Sequence, residues 1–141
     1  MDTEREILRG KPVSPGIALA KAYIYQPLEI HVSEKTVAAG GEQEQLGIFE
    51  RVCTQAKAEL DELCERLGVE DASKAKIFAA HREILDDEEV LAEIRHAIIV
   101  DRRNAAAAVD KVYGQFAELL AGVADPLIAE RAADLYDVRD R

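Results

Sequence analysis

The stretch from Glu42 to Gly68, EQEQLGIFERVCTQAKAELDELCERLG, decides the fold. Its apolar side chains recur at alternating intervals of three and four residues, at Leu46, Phe49, Cys53, Ala56, Leu60, Leu63 and Leu67. This heptad spacing is typical of a helix that packs lengthwise against another helix. We therefore predict a long helix that begins near Glu42 and ends at Gly68, because glycine often occupies the first position beyond a helix.

Four shorter helices are predicted after this one. The second extends to about Leu85, and the third opens with a capping box that Glu89 completes. Since the connections are short, neighbouring helices should run antiparallel. The sequence thus predicts a mainly α protein, an antiparallel bundle of four to five helices. The side chains that can cap the first turns are Asp71 or Ser73, Asp86, Asn104 and Asp125, and the apolar stripe of the fourth helix is Val109, Val112, Phe116, Leu119, Leu120 and Val123.

The N-terminal part has a different pattern. Lys11 to Gly16 contains two prolines and a glycine, which favours turns, and residues 17–25 have the composition of a strand. One or two strands alone do not form a stable sheet in water. Either these strands pack on the helices or their sheet lies outside the chain. The helical pattern also runs to Arg141 without a stop signal, so we expect a piece of a longer protein.

The chain is acidic, with 18 basic and 28 acidic residues and a net charge of −10 over 141 residues. Nucleic acids and anionic membranes are bound by basic surfaces, so this charge argues against both as partners. It favours a basic protein partner, whose approach the opposite charge would accelerate.

The sequence has no apolar run long enough to span a membrane and no secretion signal at its start. Cys53 and Cys64 lie about three turns apart on one helix, too far for a disulfide. We interpret them as reduced thiols of a cytoplasmic protein. The three histidines are too scattered to complete a zinc site. We expect no metal or cofactor in this chain.

Six acidic residues and no basic one lie between Glu83 and Glu93. Three interpretations remain open. The acids form a helix cap and a solvated face. Alternatively, they form a docking site for a basic partner around the apolar Ile84, Leu85 and Val90. In the third interpretation, paired carboxylates perform acid–base chemistry.

Four segments carry motifs in a specific order and spacing. They are Gly10-Lys-Pro-Val-Ser-Pro-Gly-Ile-Ala18 with Lys21-Ala22, Ile77-Phe-Ala-Ala-His81 with Leu85-Asp-Asp-Glu-Glu89, Asn104-Ala-Ala-Ala-Ala-Val109, and Glu130-Arg-Ala-Ala-Asp134 with Asp137 and Arg139. Together they resemble enzyme I of the bacterial sugar phosphotransferase system, the phosphoenolpyruvate-protein phosphotransferase family. The resemblance covers nearly the whole chain.

The resemblance implies a parent enzyme that takes phosphate from phosphoenolpyruvate onto a histidine and passes it to a histidine of the phosphocarrier protein HPr, in bacterial sugar uptake. It implies that residues 1–28 are the strand segment of an incomplete α/β phosphohistidine domain. Residues 29–141 would be the helical HPr-binding domain, truncated in its last helix. The parent enzyme would require Mg²⁺ and form a homodimer through a C-terminal part absent from this chain.

The family's phosphorylated histidine lies in a GG.TSH.A motif, which this sequence does not contain. We therefore expect no catalytic residue in this chain and no activity of the chain alone. His81 is not the phosphorylated histidine, and on the apolar stripe of the second helix it is interpreted as a core or interface residue.

The resemblance also implies a docking set for the carrier: Phe78, His81, Ile84, Leu85, Asp87, Glu88, Glu89, Val90 and Arg131. Arg82 and Glu83 occupy positions where the family often has apolar residues. The carrier is therefore either HPr, a specialised phosphocarrier or an HPr-like domain of a larger protein. A non-enzymatic acidic helical adaptor or coiled-coil module is the alternative function.

Overall fold

A computed structural model describes residues 9–12, 14–17, 19–21, 23, 32–33 and 36–141. Within this part the protein is mainly helical and contains no sheet, and the prediction of a helical bundle is confirmed. The helices are α1 (Glu42–Glu70), α2 (Ala72–Ile84), α3 (Glu88–Ile99), α4 (Ala105–Ala121), α5 (Pro126–Glu130) and α6 (Ala132–Asp140). They pack around one apolar core.

Helix α1 is the longest element, and α2, α3 and α4 all pack against it. Its 29 residues span roughly 43 Å at 1.5 Å per residue. Arg82 Nε on α2 donates to Asp61 Oδ1 at 3.1 Å. Nearer the end of α1, the Cys64 thiol donates to the Ala75 carbonyl at 3.7 Å. As the residue numbers rise along α1 they fall along α2, so the two helices are antiparallel.

The heptad seam predicted along α1 forms one wall of the core. Phe49, Ala56 and Leu60 are buried, and Leu46, Cys53 and Leu63 pack against the core while partly exposed. Both α3 and α4 contribute large and small side chains to the same core. The residues with no measurable exposed surface are Leu60, Ile94, Ile98, Ala108 and Ala117.

Helix α1 does not end at Gly68, so that prediction is wrong. The helix continues to Glu70, and Asp71, which has an extended backbone conformation, is its C-cap. The Asp71 N–H still donates to Leu67 O at 2.7 Å. The Asp71 carboxylate then caps α2, accepting from the N–H groups two and three residues further on at 3.0 and 3.3 Å. One aspartate therefore closes α1 and opens α2, and no glycine turn is needed between them.

The N-cap of α3 is Asp87 and not the predicted Asp86. Asp87 Oδ1 accepts from the N–H groups two and three residues further on, at 2.9 and 3.1 Å. The Asp86 carboxylate is directed elsewhere, because it pairs with Lys57 and Arg82. The predicted capping box with Glu89 is therefore wrong, and Asp86 belongs to the turn between α2 and α3.

The caps of the last helices lie where they were predicted. Asn104 Oδ1 accepts from the N–H three residues on at 2.9 Å. Asp125 Oδ1 accepts from Leu127 N at 2.9 Å, and Pro126 occupies the first turn of α5. The predicted fifth helix is divided in two, since Arg131 separates α5 from α6.

Residues 36–37, which we call the strap, cross the loop between α3 and α4. Val37 N donates to Arg102 O at 2.8 Å, and Thr36 forms an isolated antiparallel bridge with Arg103. Arg102 has a φ of 53°, a left-handed conformation that a non-glycine residue adopts only where its surroundings hold it there. Its guanidinium pairs with Glu42 at 3.2 Å, which ties the loop to the start of α1.

The strand predicted at residues 17–25 falls partly outside the described residues, and so does the boundary between residues 28 and 29. The described residues from 9 to 23 belong to no strand or bridge. Ile17, Leu19 and Tyr23 are 105%, 103% and 88% exposed. These side chains are not part of the core that the helices form.

Deletion of residues 1–28 should leave the helical bundle folded, because the described residues of this segment are exposed. We expect helical circular dichroism to be retained and the midpoint of thermal unfolding to change by no more than about 2 °C. Deletion of residues 1–40 is the matched control, since it also removes the strap and should lower the midpoint clearly. Loss of helicity in the shorter deletion would make the N-terminal segment part of the folding unit.

Candidate docking surface

Within the acidic stretch, Asp86 forms ion pairs with basic side chains of the bundle. Its carboxylate accepts hydrogen bonds from the Lys57 ammonium and the Arg82 guanidinium, and Arg82 also pairs with Asp61. The hydrogen bond from Lys57, followed by that from Arg82, lowers the pKa of the Asp86 carboxyl below its ordinary value. This network joins α1 to the turn between α2 and α3 and neutralises the charge of Asp86 locally.

Glu88 and Glu89 behave differently from the two aspartates before them. Both are exposed in the first turn of α3, and neither forms an ion pair with any residue that the structure describes. Glu83 and Glu93, at the two ends of the acidic stretch, are exposed as well. Acidic groups at a helix N-terminus are favoured by the helix dipole. The acidic surface is therefore made by the glutamates, and Asp87 serves as the cap.

A cleft between α3 and α4 lies beside these carboxylates. We call it the α3–α4 cleft; its lining residues are Glu89, Glu93, Gln115, Phe116, Glu118 and Leu119. Three of them are acidic, two are large and apolar, and none is basic. Interfaces between proteins commonly have an apolar centre within a polar rim. The charge pattern of the cleft complements a partner that is basic and partly apolar.

Aliphatic side chains continue from this cleft to the start of α5. Leu119 is 69% exposed and Leu127 is 75% exposed. Val123 and Ile128, between and beside them in the sequence, are 40% and 42% exposed. Clustered exposed aliphatic groups mark sites where other proteins bind. The acidic α3–α4 cleft therefore adjoins an apolar corner formed by α4 and α5.

Leu85 and Val90 are core residues and not the exposed apolar centre predicted for the acidic stretch. Their exposures are 5% and 3%, since the turn between α2 and α3 folds both side chains into the bundle. Ile84 and Phe78 are intermediate, partly buried against the core. The apolar contribution to the surface comes instead from α4 and α5.

His81 is also buried, with only 4% of its surface exposed. Its Nε2 lies 3.5 Å from Asp134 Oδ1 on α6, and neither ring nitrogen makes a hydrogen bond to any residue that the structure describes. The ring meets Phe78 edge to face, with centroids 6.0 Å apart. An unsatisfied buried polar group typically costs about 1–3 kcal/mol. Because only 4% of its surface is exposed, His81 lies behind the surface and has no direct access to a partner protein.

Arg131 is exposed between α5 and α6. Asp134, which faces His81, lies one helical turn after it. The residues predicted for docking thus divide into three groups. Those exposed are Asp87, Glu88, Glu89 and Arg131, those partly buried are Phe78 and Ile84, and those buried are His81, Leu85 and Val90.

Phe116, Leu119 and Leu127 were not predicted as docking residues. Leu119 and Phe116 were assigned to one buried stripe of the fourth helix. The sequence contains a signal against that assignment, because Tyr113 and Ala117 form a second apolar row one turn apart. These two residues are 3% and 0% exposed. A helix with two apolar rows needs a partner for each row. In this half of α4 the bundle buries the row of Tyr113 and Ala117, whereas Phe116 is only partly buried and Leu119 is exposed.

The described residues contain no group of three or more His, Cys, Asp or Glu side chains placed to hold a metal ion. In the same described residues, no helix is both long enough and apolar enough to cross a membrane. Burial raises the pKa of the Cys53 thiol, and Cys64 is also a free cysteine.

These features define a helical domain that presents acidic and apolar side chains on one surface. Residues 9–131 match the family model described as "PEP-utilising enzyme, N-terminal", and the chain belongs to that family. The resemblance to enzyme I is thereby confirmed.

Curated relatives and a solved structure agree with this assignment. The chain is 38% identical over 138 residues to a phosphoenolpyruvate-protein phosphotransferase of Bacillus sp. (strain S) and 36% identical over 138 residues to that of Geobacillus stearothermophilus. The alignments cover 95% of this chain and 23% of each relative, so the chain spans about a quarter of their length. An NMR solution structure of Enzyme I (nEIt) matches with a TM-score of 0.75 at 26% identity, covering 79% of this chain and 46% of that one.

The substitution Leu85→Ala should lower the free energy of unfolding by about 2–4 kcal/mol, because it leaves a cavity in the core. Leu119→Ala removes the same atoms from an exposed position and should change it by less than about 0.5 kcal/mol. Urea unfolding followed by circular dichroism measures both variants. Equal stability of the two variants would contradict the burial of Leu85 in the core.

Asp86→Asn should lower the free energy of unfolding at pH 7 by about 0.5–1 kcal/mol, a small value because the pair is partly exposed. The pKa of Asp86 is lowered in the folded state, so its contribution is present above the unfolded value of about 3.9 and is lost as the pH falls through the folded value. The difference between wild type and variant should therefore shrink below about pH 4. Asp137→Asn, at an exposed carboxylate, should leave stability at pH 7 unchanged, and a pH-independent effect of Asp86→Asn would contradict the ion pair.

Proposed function

We propose that this chain is the carrier-docking part of a phosphoenolpyruvate-protein phosphotransferase and that it binds HPr or an HPr-like phosphocarrier. The observation that carries the proposal is the juxtaposition of exposed carboxylates, which form no ion pair with any described residue, with exposed or half-buried apolar side chains along α3, α4 and α5. Glu88, Glu89 and Glu93 lie on the acidic side, and Phe116 and Leu119 on the apolar side. The similarity to phosphoenolpyruvate-protein phosphotransferases supports the phosphotransferase assignment.

In this proposal the chain contributes binding and orientation, and not the chemical step. The sequence lacks the TSH motif of the family's phosphorylated histidine, so the phosphoryl group would be carried by a part of the protein outside these residues. Docking would hold the carrier so that its histidine can approach that donor. The whole protein would act in the cytoplasm, in bacterial sugar uptake, as a Mg²⁺-dependent homodimer.

The two kinds of side chain have separable effects on docking. Carboxylates at the rim steer a basic carrier towards the surface, which raises the association rate and makes it depend on salt. Apolar contacts in the centre, from Leu119 and its neighbours, exclude water and prolong the complex. Because Asp86 is neutralised by Lys57 and Arg82, the steering charge would come mainly from the glutamates.

The proposal is tested by reversing the charge of Glu88 and Glu89 together. We expect the association rate with Bacillus subtilis HPr at low salt to fall by about tenfold or more and to lose most of its salt dependence, with a smaller change in the dissociation rate. Stopped-flow kinetics measures both rates. Thermal unfolding is measured alongside, because lysines in the first turn of a helix oppose its dipole.

A matched control reverses Glu50 and Glu62, which are exposed on α1 and undergo the same change of net charge. This control should bind HPr at a rate closer to that of the wild type. If the Glu88 and Glu89 variant associates as fast as the control, the acids form only a helix start and a solvated face. If the wild-type chain does not bind HPr at all, the alternative of an acidic helical adaptor is favoured.

A further inference from the structure

The buried imidazole of His81 is the polar group for which the bundle provides no hydrogen bond. Both ring nitrogens are inaccessible to water and unpartnered among the described residues. Buried polar groups in folded proteins nearly always have a partner, so an exception calls for a physical reason.

The side chains around His81 contact its ring but form no hydrogen bond with it among the described residues. Phe78, one turn earlier on α2, packs edge to face against it at an interplanar angle of 83°. The Arg141 guanidinium lies 5.9 Å from the centre of the Phe78 ring. Asp134 Oδ1 on α6 lies 3.5 Å from His81 Nε2, without hydrogen-bond geometry. A shift of less than 1 Å between α2 and α6 would bring the two atoms to an ordinary hydrogen-bond distance of about 2.9 Å.

This incomplete pair links two elements that carry proposed docking residues. Ile84 follows His81 by three residues on α2, and the turn leading to the exposed glutamates comes directly after it. On the other side, Arg131 precedes Asp134 by three residues at the start of α6. Any closing of α6 on α2 therefore moves Arg131 relative to the acidic end of α3.

We propose that His81 is a positioning residue, and that docking of the carrier is coupled to formation of the hydrogen bond between His81 and Asp134. In the free chain the imidazole is desolvated without compensation. In the complex, contact of the carrier with both Arg131 and the glutamates of α3 draws α6 towards α2 and completes the bond. By thermodynamic linkage, the completed bond strengthens docking by the same factor by which docking favours the bond. This inference rests on the proposed function.

The first experiment follows the ring nitrogens of His81 by two-dimensional ¹H–¹⁵N NMR while B. subtilis HPr is added at constant pH. We expect the His81 ring signals to shift on saturation in the wild type and to stay unshifted in Asp134→Ala. Unchanged ring signals in a wild-type chain saturated with HPr would overturn the inference while leaving the proposed docking intact. Absence of any binding would overturn the proposed function and this inference with it.

The second experiment separates positioning from stability with His81→Leu. Replacement of an unsatisfied buried polar group by an apolar one of similar size is expected to leave the unfolding midpoint equal or higher. Affinity for HPr should nevertheless fall by on the order of tenfold. Asp134→Ala should weaken binding similarly, and the double variant should be no weaker than either single one.

Asp137→Asn on the exposed side of α6 is the matched control and should bind as the wild type does. Wild-type affinity of the His81→Leu variant, or additive losses in the double variant, would show that the pair takes no part in docking. A His81→Leu variant that unfolds at lower temperature would show that His81 is satisfied in the free bundle, which also contradicts the inference.

Discussion

The buried seam of α1 is the constraint on which the rest of the bundle depends. Leu60 has no exposed surface, and Phe49 and Ala56 have little. Three other helices pack against α1, so the position of each is defined relative to one continuous rod. Lys57 on that rod also binds Asp86, which fixes the point from which α3 departs. Apolar packing and the ion pairs of Asp86 thus position the candidate docking surface relative to α1.

The acidic stretch illustrates how a cluster of like charges is accommodated at a helix start. Asp86 is paired with two cations, and the oxygens of Asp87 are occupied by backbone N–H groups. The glutamates of the stretch, Glu88 and Glu89 among them, are exposed and form no ion pair with a described residue. The repulsion that six neighbouring carboxylates would suffer is reduced because each group has a different environment. Acidity in the sequence is therefore a poor measure of acidity on the surface.

Much of the fold was predictable from local rules, and the failures have identifiable causes. Heptad spacing and the caps at Asn104 and Asp125 depend on short-range physics, which the sequence displays directly. The choice between Asp86 and Asp87 as the cap was not predictable, since it depends on cations from α1 and α2. Gly68 could end a helix, but Asp71 does so three residues later because its backbone and side chain serve both neighbouring helices.

For the candidate site, the predicted acidic side chains are exposed, whereas two residues of the predicted apolar centre are buried. Leu85 and Val90 border the acids in sequence, yet the chain reverses within the three residues between α2 and α3, and both side chains enter the core. Leu119 was assigned to the interior because periodicity identifies an apolar row without saying what covers it. The buried row of α4 at its C-terminal end contains Tyr113 and Ala117 instead. Burial of this kind depends on how many helices surround α4, which single-helix patterns do not contain.

The position of the strap separates the N-terminal side of the bundle from its acidic surface. It meets the helices beside Arg102 and Arg103, just beyond the C-terminal end of α3. Glu88 and Glu89 stand at the opposite end of that helix, whose 12 residues span roughly 18 Å. The strap therefore meets the bundle well away from the carboxylates. The helix therefore acts as a spacer, which keeps the strap and the exposed glutamates about one helix length apart.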